Sequence, residues 1–397
     1  MKTLSVVVAV VSACATLVAC TESTTLDTTS DWGGTIDTLE SGRIVVRNPD
    51  RPSLAAEGSW TLVERFRVGA LDGEGPDVFG DIRDIELGMG GELYVLDSQA
   101  AEVRVFGPEG QHLRTMGRQG EGPGELNRPA GLALDPLGTL WVMNWGNARY
   151  TGFDPGTGEL RREVRRLASF ASLPWPGIVD DERRLTDVGL DRGGEPAILR
   201  LDTTFVPTDT MVLPRAGEEH LVTFRRGDLR VMSSVDPFAP QPAWAPRPRG
   251  GVVLGEGADF RLHRVSFEGD TSMTIELSRE PTPVTDQERD SALSAFERTA
   301  ELADGATPDR SPRVASTKPA HGAIFVDDSD WIWVQVNTGA GVAWDVIGPD
   351  GRYLAQIRAP VPPSFIRPAV RGDRVALVTL TDEVPTVIVF ELSTGYR

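Results

Sequence analysis

The amino-acid sequence predicts an all-β fold made of repeated four-stranded units, and three observations lead to this prediction. First, "GEGPDVF" from Gly73 and "GEGPGEL" from Gly120 are two copies of one segment, 47 residues apart. Second, "IELGMGGELYVLD" from Ile85 aligns at the same offset with "LALDPLGTLWVMN" from Leu132. Third, the 42 glycines and 29 prolines suit many short strands joined by turns. A period in the forties is typical of the blades of a β-propeller.

The number of blades is estimated from the length of the repeating region. Ser59 to Arg397, less one helix and its flanks, leaves about 300 residues, which is between six and seven units of this period. The segments that can be traced favour six blades, with seven as the alternative. The strand-like segment "SWTLVERFRVG", which contains Trp60, is expected to complete the last blade, because a closed ring leaves no open sheet edge.

One segment departs from the β pattern and predicts a helix inserted between blades, near 285–304. Thr285 and Glu288 form a T-x-x-E capping box at its start. Ala292, Leu293 and Phe296 then fall on one helical face.

Composition and loop pattern argue against nucleotide and nucleic-acid partners. The formal net charge is −18 and the isoelectric point is near 4.7, whereas nucleic-acid binding relies on Lys and Arg. Gly120, Gly122 and Gly124 are followed by no Lys-Ser or Lys-Thr, so the loop does not match a phosphate-binding loop. We interpret it as the connector between two blades.

The N-terminus predicts an exported, lipid-anchored protein. Residues 1–20 carry the basic Lys2, a short apolar run and Leu17-Val18-Ala19-Cys20, an ending that resembles the lipobox of bacterial lipoproteins. On that resemblance Cys20 is the lipidated first residue, the membrane is a partner through it, and Thr21 favours the outer membrane. Residues 21–58 are expected to form a flexible tether, and residues 59–397 the propeller.

The repeats resemble the six-bladed β-propeller lipoproteins of bacteria, which are related to NHL-repeat propellers. The resemblance is carried by "RVGALDGEGPDVFGDIRDIELGMGGELYVLD", "VRVFGPEGQHLRTMGRQGEGPGEL" and "WDVIGPDGRYLAQI". It covers nearly the whole mature domain and implies the fold. It implies no chemistry, because the family has no catalytic signature.

A calcium-dependent hydrolase is the alternative function. Propeller lactonases and esterases hold calcium in the central channel, and calcium takes six to eight oxygen ligands. Asp97 and Asn144 follow equivalent strands, and Asn337 follows a third strand of this type. The three side chains are therefore candidate ligands, although they are explained as well by turn formation at strand ends. Calcium is the sole cofactor suggested.

Recognition is the favoured function, because the sequence contains no catalytic motif. The four histidines are scattered, with no pair at zinc-binding spacing, and no G-x-S-x-G elbow occurs. The Pro-rich segment "DPFAPQPAWAPRPRG" presents Phe238 and Trp244, which are candidate partner contacts. The sequence therefore predicts a non-enzymatic recognition or scaffold module whose partner is a protein, a peptide or a glycan.

Overall fold

The computed structural model describes residues 32–53, 60–168, 175–302, 305–339 and 341–393, which form an almost entirely β structure. One α-helix, α1 (Asp286–Leu302), and one short 3-10 helix (Glu218–His220) occur among them. The strands are β1 (Thr35–Thr38), β2 (Ile44–Asn48), β3 (Thr61–Val68), β4 (Ile82–Leu87), β5 (Leu93–Asp97), β6 (Glu102–Phe106), β7 (His112–Met116), β8 (Pro129–Leu134), β9 (Leu140–Asn144), β10 (Arg149–Phe153), β11 (Leu160–Arg165), β12 (Ile178–Val179), β13 (Leu185–Leu190), β14 (Pro196–Leu201), β15 (Pro207–Val212), β16 (Leu221–Arg226), β17 (Leu229–Val235), β18 (Ala243–Pro246), β19 (Val252–Gly255), β20 (Arg261–Val265), β21 (Thr271–Leu277), β22 (Thr307–Pro308), β23 (Ile324–Val326), β24 (Ile332–Thr338), β25 (Gly341–Ile347), β26 (Tyr353–Arg358), β27 (Ala369–Arg371), β28 (Arg374–Thr381) and β29 (Val384–Ser393).

Within the described residues these strands form seven sheets, six of which are the blades of a β-propeller. Blades 1, 2 and 3 are the antiparallel ladders β4–β7, β8–β11 and β12–β15. Blade 4 is β18–β21, blade 5 is β23–β26, and blade 6 is β27–β29 with β3. The seventh sheet has only three strands, in the order β17-β16-β22.

Apolar packing joins the six blades into a ring. Each pair of consecutive blades shares one buried apolar cluster, and the last of these clusters joins blade 6 back to blade 1. The seventh sheet takes part in none of these six clusters and packs instead against α1. The all-β propeller prediction is therefore confirmed.

The ring is closed by a strand from the other end of the domain. β3 pairs antiparallel with β29, with Val68 opposite Val387 and Thr61 opposite Ser393. This pairing covers an edge of blade 6 that would otherwise present unpaired backbone groups. The expected role of the segment after Trp60 is thus confirmed.

The chain before β3 differs from the expected flexible tether over part of its length. Within 21–58, β1 and β2 add to the outer edge of blade 4, where β2 runs parallel to β21 and places Ile44 opposite Met273. Val45 and Val46 are buried there. The side chain of Asn48 accepts from the N–H of Tyr353 (2.7 Å) and donates to the carbonyl of Gly351 (3.0 Å). These contacts order a segment whose own sequence shows no sustained apolar period. Residues 1–31, including the predicted signal peptide and Cys20, lie outside the described residues.

The predicted helix is present between blades 4 and 5 and packs on the seventh sheet, whose strands come from before and after blade 4. The N–H of Glu288 donates to Thr285 Oγ1 (3.2 Å), and the N–H of Thr285 donates to Glu288 Oε2 (3.0 Å), which forms the predicted capping box. Phe296 packs on Phe224 of β16, with ring centroids 5.5 Å apart. No helix in the described part of the chain is long and apolar enough to cross a membrane.

A repeated turn explains how the sequence specifies the first hairpin of blades 2 and 5. In blade 2, Asp135 accepts from two backbone N–H groups and from the indole N–H of Trp141 (3.1 Å). In blade 5, Asp327 binds two backbone N–H groups and the indole of Trp333 (2.9 Å) in the same way. An aspartate that folds back on its own turn fixes the first hairpin locally. The two hairpins are therefore structurally equivalent, and Trp141 corresponds to Trp333.

Candidate ligand-binding cavity

Two neighbouring cavities lie where the first strands of the blades meet. The axial cavity, about 250 Å³, is lined by residues from all six blades, among them Glu86, Asp181 and Arg371. The aromatic cavity, about 580 Å³, is lined by blades 4 and 5 and by the segments that lead into β12 and β27. Both cavities include Phe325 and Arg367 in their walls, so the two spaces are adjacent.

Charged side chains of alternating sign surround Arg367, which lines both cavities. Arg367 Nε lies 3.9 Å from Asp84 Oδ1, and Arg367 Nη2 lies 3.9 Å from Glu86 Oε2. Arg371 Nη2 is 3.6 Å from the other oxygen of Glu86. Burial raises the pKa of Asp84 to about 6, although Arg367 and the N–H of Leu132 act to lower it. The cationic groups here already face carboxylates within the protein.

The walls of the aromatic cavity are large, mostly apolar side chains. Trp344 and Phe325 are buried, and Phe365 stands at the rim with 66% of its surface exposed. These residues come from β25, from β23 and from the loop before β27. Aromatic walls of this size bind apolar groups by burying their surface.

A buried aspartate fixes the wall contributed by Trp175. The indole N–H of Trp175 donates to Asp187 Oδ1 (2.6 Å), and Arg166 Nε donates to Asp187 Oδ2 (2.8 Å). The hydroxyl of Tyr150 also donates to this carboxylate. Burial is the main cause that raises the pKa of Tyr150 well above its usual value, so the phenol stays protonated. Trp175 is therefore held in one orientation before any ligand arrives.

The aromatic cavity also contains hydrogen-bonding groups that no described residue satisfies. Gln335 and Trp344 are paired across β24 and β25 and both line the cavity. Only 2% of Trp344 is exposed, yet its indole N–H has no hydrogen-bond partner among the described residues, and neither has the side-chain amide of Gln335. The indole N–H of Trp60 also lacks a partner, but it is fully buried in the core, whereas the indole N–H of Trp344 is not.

The three candidate calcium ligands are not brought together by the described structure. The carboxylate of Asp97 accepts from the N–H groups of Gly80 (3.0 Å) and Asp81 (3.2 Å) and lies 3.4 Å from Arg104 Nη2. The side chain of Asn144 accepts from the N–H of Asn127 (2.8 Å). Each side chain therefore binds backbone N–H groups of the connector that leads into its own blade.

Asn337 is not equivalent to the other two candidates. Because Trp141 corresponds to Trp333, the residue that corresponds to Asn144 is Val336, one position earlier. Successive residues of a strand point to opposite faces, so this offset turns Asn337 away, and its side chain is exposed. Searching the described residues for His, Cys, Asp and Glu groups that could hold a metal ion finds no cluster of three.

The two candidate partner contacts lie in different places. Trp244 of β18 lines the aromatic cavity. Phe238 lies in the preceding loop with a positive φ of 60° and borders a small depression beside α1. Sequence reasoning missed Trp175, Gln335, Trp344, Phe365 and Arg367. Phe365 and Arg367 lie in a second Pro-rich segment, "APVPPSFIRP" from Ala359, whose composition could have marked them as candidates.

Comparison with known proteins gives short or weak similarities. No family model matches the sequence. NHL repeat-containing protein 3 from Mus musculus is 33% identical over 72 residues, which cover 17% of this chain and 21% of that protein. The match therefore spans about a fifth of the length of that curated relative.

Several solved structures resemble the chain over most of its length. A Bacteroides fragilis protein proposed to be exported shares 10% identity over 87% of this chain and 98% of its own, with a TM-score of 0.49. Virginiamycin B lyase from Staphylococcus aureus shares 11% identity over 86% and 97%, with a TM-score of 0.39. Regucalcin, a calcium-binding protein from Agrobacterium tumefaciens, shares 13% identity over 84% and 96%, with a TM-score of 0.40. Similarities at this level carry no argument about function, and the propeller fold rests on the sheets and clusters described above.

Proposed function

We propose that this chain is an exported, lipid-anchored β-propeller that works by recognition, and that it binds its partner in the aromatic cavity. One observation carries the recognition proposal: a cavity of about 580 Å³ with aromatic walls and hydrogen-bonding groups that the described protein leaves unused. Cavities of this size with a few convergent polar groups are typical of ligand sites. The partner is a protein or peptide that inserts an apolar group, a glycan that stacks on the indoles, or a small molecule.

The anchoring part of the proposal comes from the N-terminal sequence. Leu17-Val18-Ala19-Cys20 has the order of small and apolar residues that precedes a lipidated cysteine. Several acyl chains on Cys20 would hold the domain at the membrane, because one chain alone anchors only marginally. We place it at the outer membrane, since Thr21 follows the cysteine.

A substitution that fills the cavity from its rim tests the recognition site. Ala323 lines the aromatic cavity and is exposed, so Ala323→Trp places an indole there without disturbing the core. Ala295 is exposed on α1, away from the lining of that cavity, and Ala295→Trp is the matched control. The wild type and both variants are incubated with a detergent extract of the bacterial envelope, and native mass spectrometry records their non-covalent adducts.

We expect a discrete adduct on the wild type and on Ala295→Trp that is absent from Ala323→Trp. An adduct that all three proteins retain would place binding elsewhere. Release of a hydrolysed product by the wild type, in place of a retained adduct, would instead identify an enzyme.

A further inference from the structure

We infer that the aromatic cavity selects a neutral ligand, an apolar group flanked by an amide, as in a peptide segment with an aromatic side chain. The inference rests on the proposed function and names its ligand. It follows from comparison of the same position in two blades, from the donors and acceptors in the cavity, and from its charge.

Blade 2 shows what the repeat normally places at this position. Met143 of β9 lies opposite Tyr150 of β10, as Gln335 lies opposite Trp344 in blade 5. Both residues of the blade 2 pair are buried, and Trp175 packs in the same apolar cluster. The hydroxyl of Tyr150 binds Asp187, so no polar group of the pair is left over.

In blade 5 the same position is open and polar. Gln335 stands where blade 2 has the methionine, and its side chain borders the aromatic cavity. In blade 2 the corresponding side chains pack against blade 3. The strand "WIWVQV" is otherwise apolar, so this glutamine places an amide on a face that packs in the core elsewhere along the strand. Gln335 is half-buried, and a ligand that covers it must satisfy its amide, because a polar group buried without a partner costs free energy.

The unpartnered groups match an amide more closely than any simpler group. The Trp344 indole N–H can only donate, and it therefore requires an acceptor oxygen. The Gln335 amide both donates and accepts, so it can pair with the N–H and the C=O of a ligand amide at once. Trp344 and Gln335 are direct cross-strand neighbours, which puts their polar groups on one wall.

The charge of the cavity favours a neutral ligand over an anion. Among the described residues of its lining Arg367 is the only one with a charged side chain, and its guanidinium already faces Asp84 and Glu86. A ligand carboxylate near Arg367 would also approach these two carboxylates. The repulsion would offset the attraction, whereas an amide meets no such opposition.

Three small probes separate these requirements in calorimetric titrations of the folded domain. N-acetyl-L-phenylalaninamide has both the aromatic ring and neutral amides. N-acetylglycinamide lacks the ring, and N-acetyl-L-phenylalanine replaces one amide with a carboxylate. We expect the first probe to bind more tightly than the other two. Equal or tighter binding of the carboxylate probe would overturn the inference.

Two substitutions and a matched control locate the contact. Trp344→Phe removes the indole N–H and keeps an aromatic ring, and Gln335→Met restores the residue that blade 2 has at this position. Each is expected to weaken binding of N-acetyl-L-phenylalaninamide about five-fold, the effect of one neutral hydrogen bond. Trp331→Phe, outside the cavity lining, is expected to leave the affinity unchanged. Unchanged affinity in both Gln335→Met and Trp344→Phe would refute the assignment.

A spectroscopic measurement reads binding on the wild type and needs a variant only to assign one signal. The protein is labelled with ¹⁵N at its tryptophan indoles, and the Trp344 signal is identified from its absence in Trp344→Phe. Addition of the amide probe should move this signal downfield, as a new hydrogen bond does, and leave the Trp333 signal in place, because Trp333 already binds Asp327. One outcome would be that Ala323→Trp abolishes the adduct of the wild type while the amide probe moves no indole signal. The inferred ligand class would then be wrong, and the proposed function would stand. If the wild type forms no such adduct and the probe moves no indole signal, both the proposed function and the inferred ligand class are refuted.

Discussion

Replacement of Asp84 by Asn should change how the stability of the propeller depends on pH. Asp84 is fully buried in β4, and its carboxylate accepts from the N–H of Leu132 in blade 2 (2.8 Å). Burial raises its pKa from 3.8 to about 6, with Arg367 and Glu86 as the charged groups that face it. The folded protein therefore binds this proton more tightly than the unfolded chain does.

The sign and size of the effect follow from proton linkage. A raised pKa contributes stability that is fully present below pH 3.8 and is lost as the pH rises through about 6. Between pH 8 and pH 5 the contribution grows by about 1.4 kcal/mol, using these two pKa values. An asparagine at this position does not titrate. The wild type should therefore gain about 1.4 kcal/mol relative to Asp84→Asn over this range.

Urea unfolding at pH 5, 6, 7 and 8 measures this difference for both proteins. Asp154→Asn is the control, because a hydrogen bond from Arg161 is the largest of the causes that lower the pKa of Asp154, which keeps it ionised throughout this range. Its difference from the wild type should be constant. A constant difference for Asp84→Asn as well, or one that favours the variant at pH 5, would refute the reasoning.

Two further predictions concern the anchor and the calcium alternative. Cys20→Ser should move the exported protein from the membrane fraction to the soluble fraction, as measured by fractionation and by the mass of the N-terminal peptide; retention at the membrane would contradict lipidation at this cysteine. Asp97→Ala should lower the free energy of unfolding by about 2–4 kcal/mol, because four backbone N–H groups lose their acceptor. Calcium should leave the melting temperature of the wild type and of this variant unchanged, whereas a rise in the wild type alone would revive the metal site.

Much of the fold could be predicted because the information that specifies a blade is local. The aspartate that folds onto its own turn and the tryptophan six residues later occur together in blades 2 and 5. The connector between blades 1 and 2 is equally local, since Glu125 accepts from the N–H of Gly122 (2.7 Å) and from Arg118. Such patterns recur in the sequence at the period of the blade and can be aligned.

The strands before β3 could not be predicted for the opposite reason. Ile44, Val45 and Val46 are three apolar residues in a polar stretch, too few to show a period of two. Their strand conformation is fixed by the edge of β21, more than two hundred residues later in the chain. Nothing within residues 35–48 records that this edge is available.

The aromatic cavity was hidden because its residues are scattered along the sequence. Trp175 and Trp344 lie far apart, and Trp244 stands in a Pro-rich segment that indicated a surface contact and not the wall of a cavity. Gln335 is the one polar residue in "WIWVQV" before the strand reaches Asn337. Comparison with the aligned blade makes it visible, because Met143 occupies the same place and is fully buried.

On the function proposed here, that comparison indicates how a propeller gains a binding site without a new fold. The blades supply one framework, in which the pair formed by Met143 and Tyr150 is sealed by Trp175 and Asp187. In blade 5, Gln335 and Trp344 stand in the same register, and no described residue pairs with their polar groups. A ligand that covers these groups has to satisfy them, because polar groups buried without a partner cost free energy. An unsatisfied polar pair in an otherwise repeated core therefore indicates binding more strongly than the acidic strand ends, whose oxygens the connectors already use.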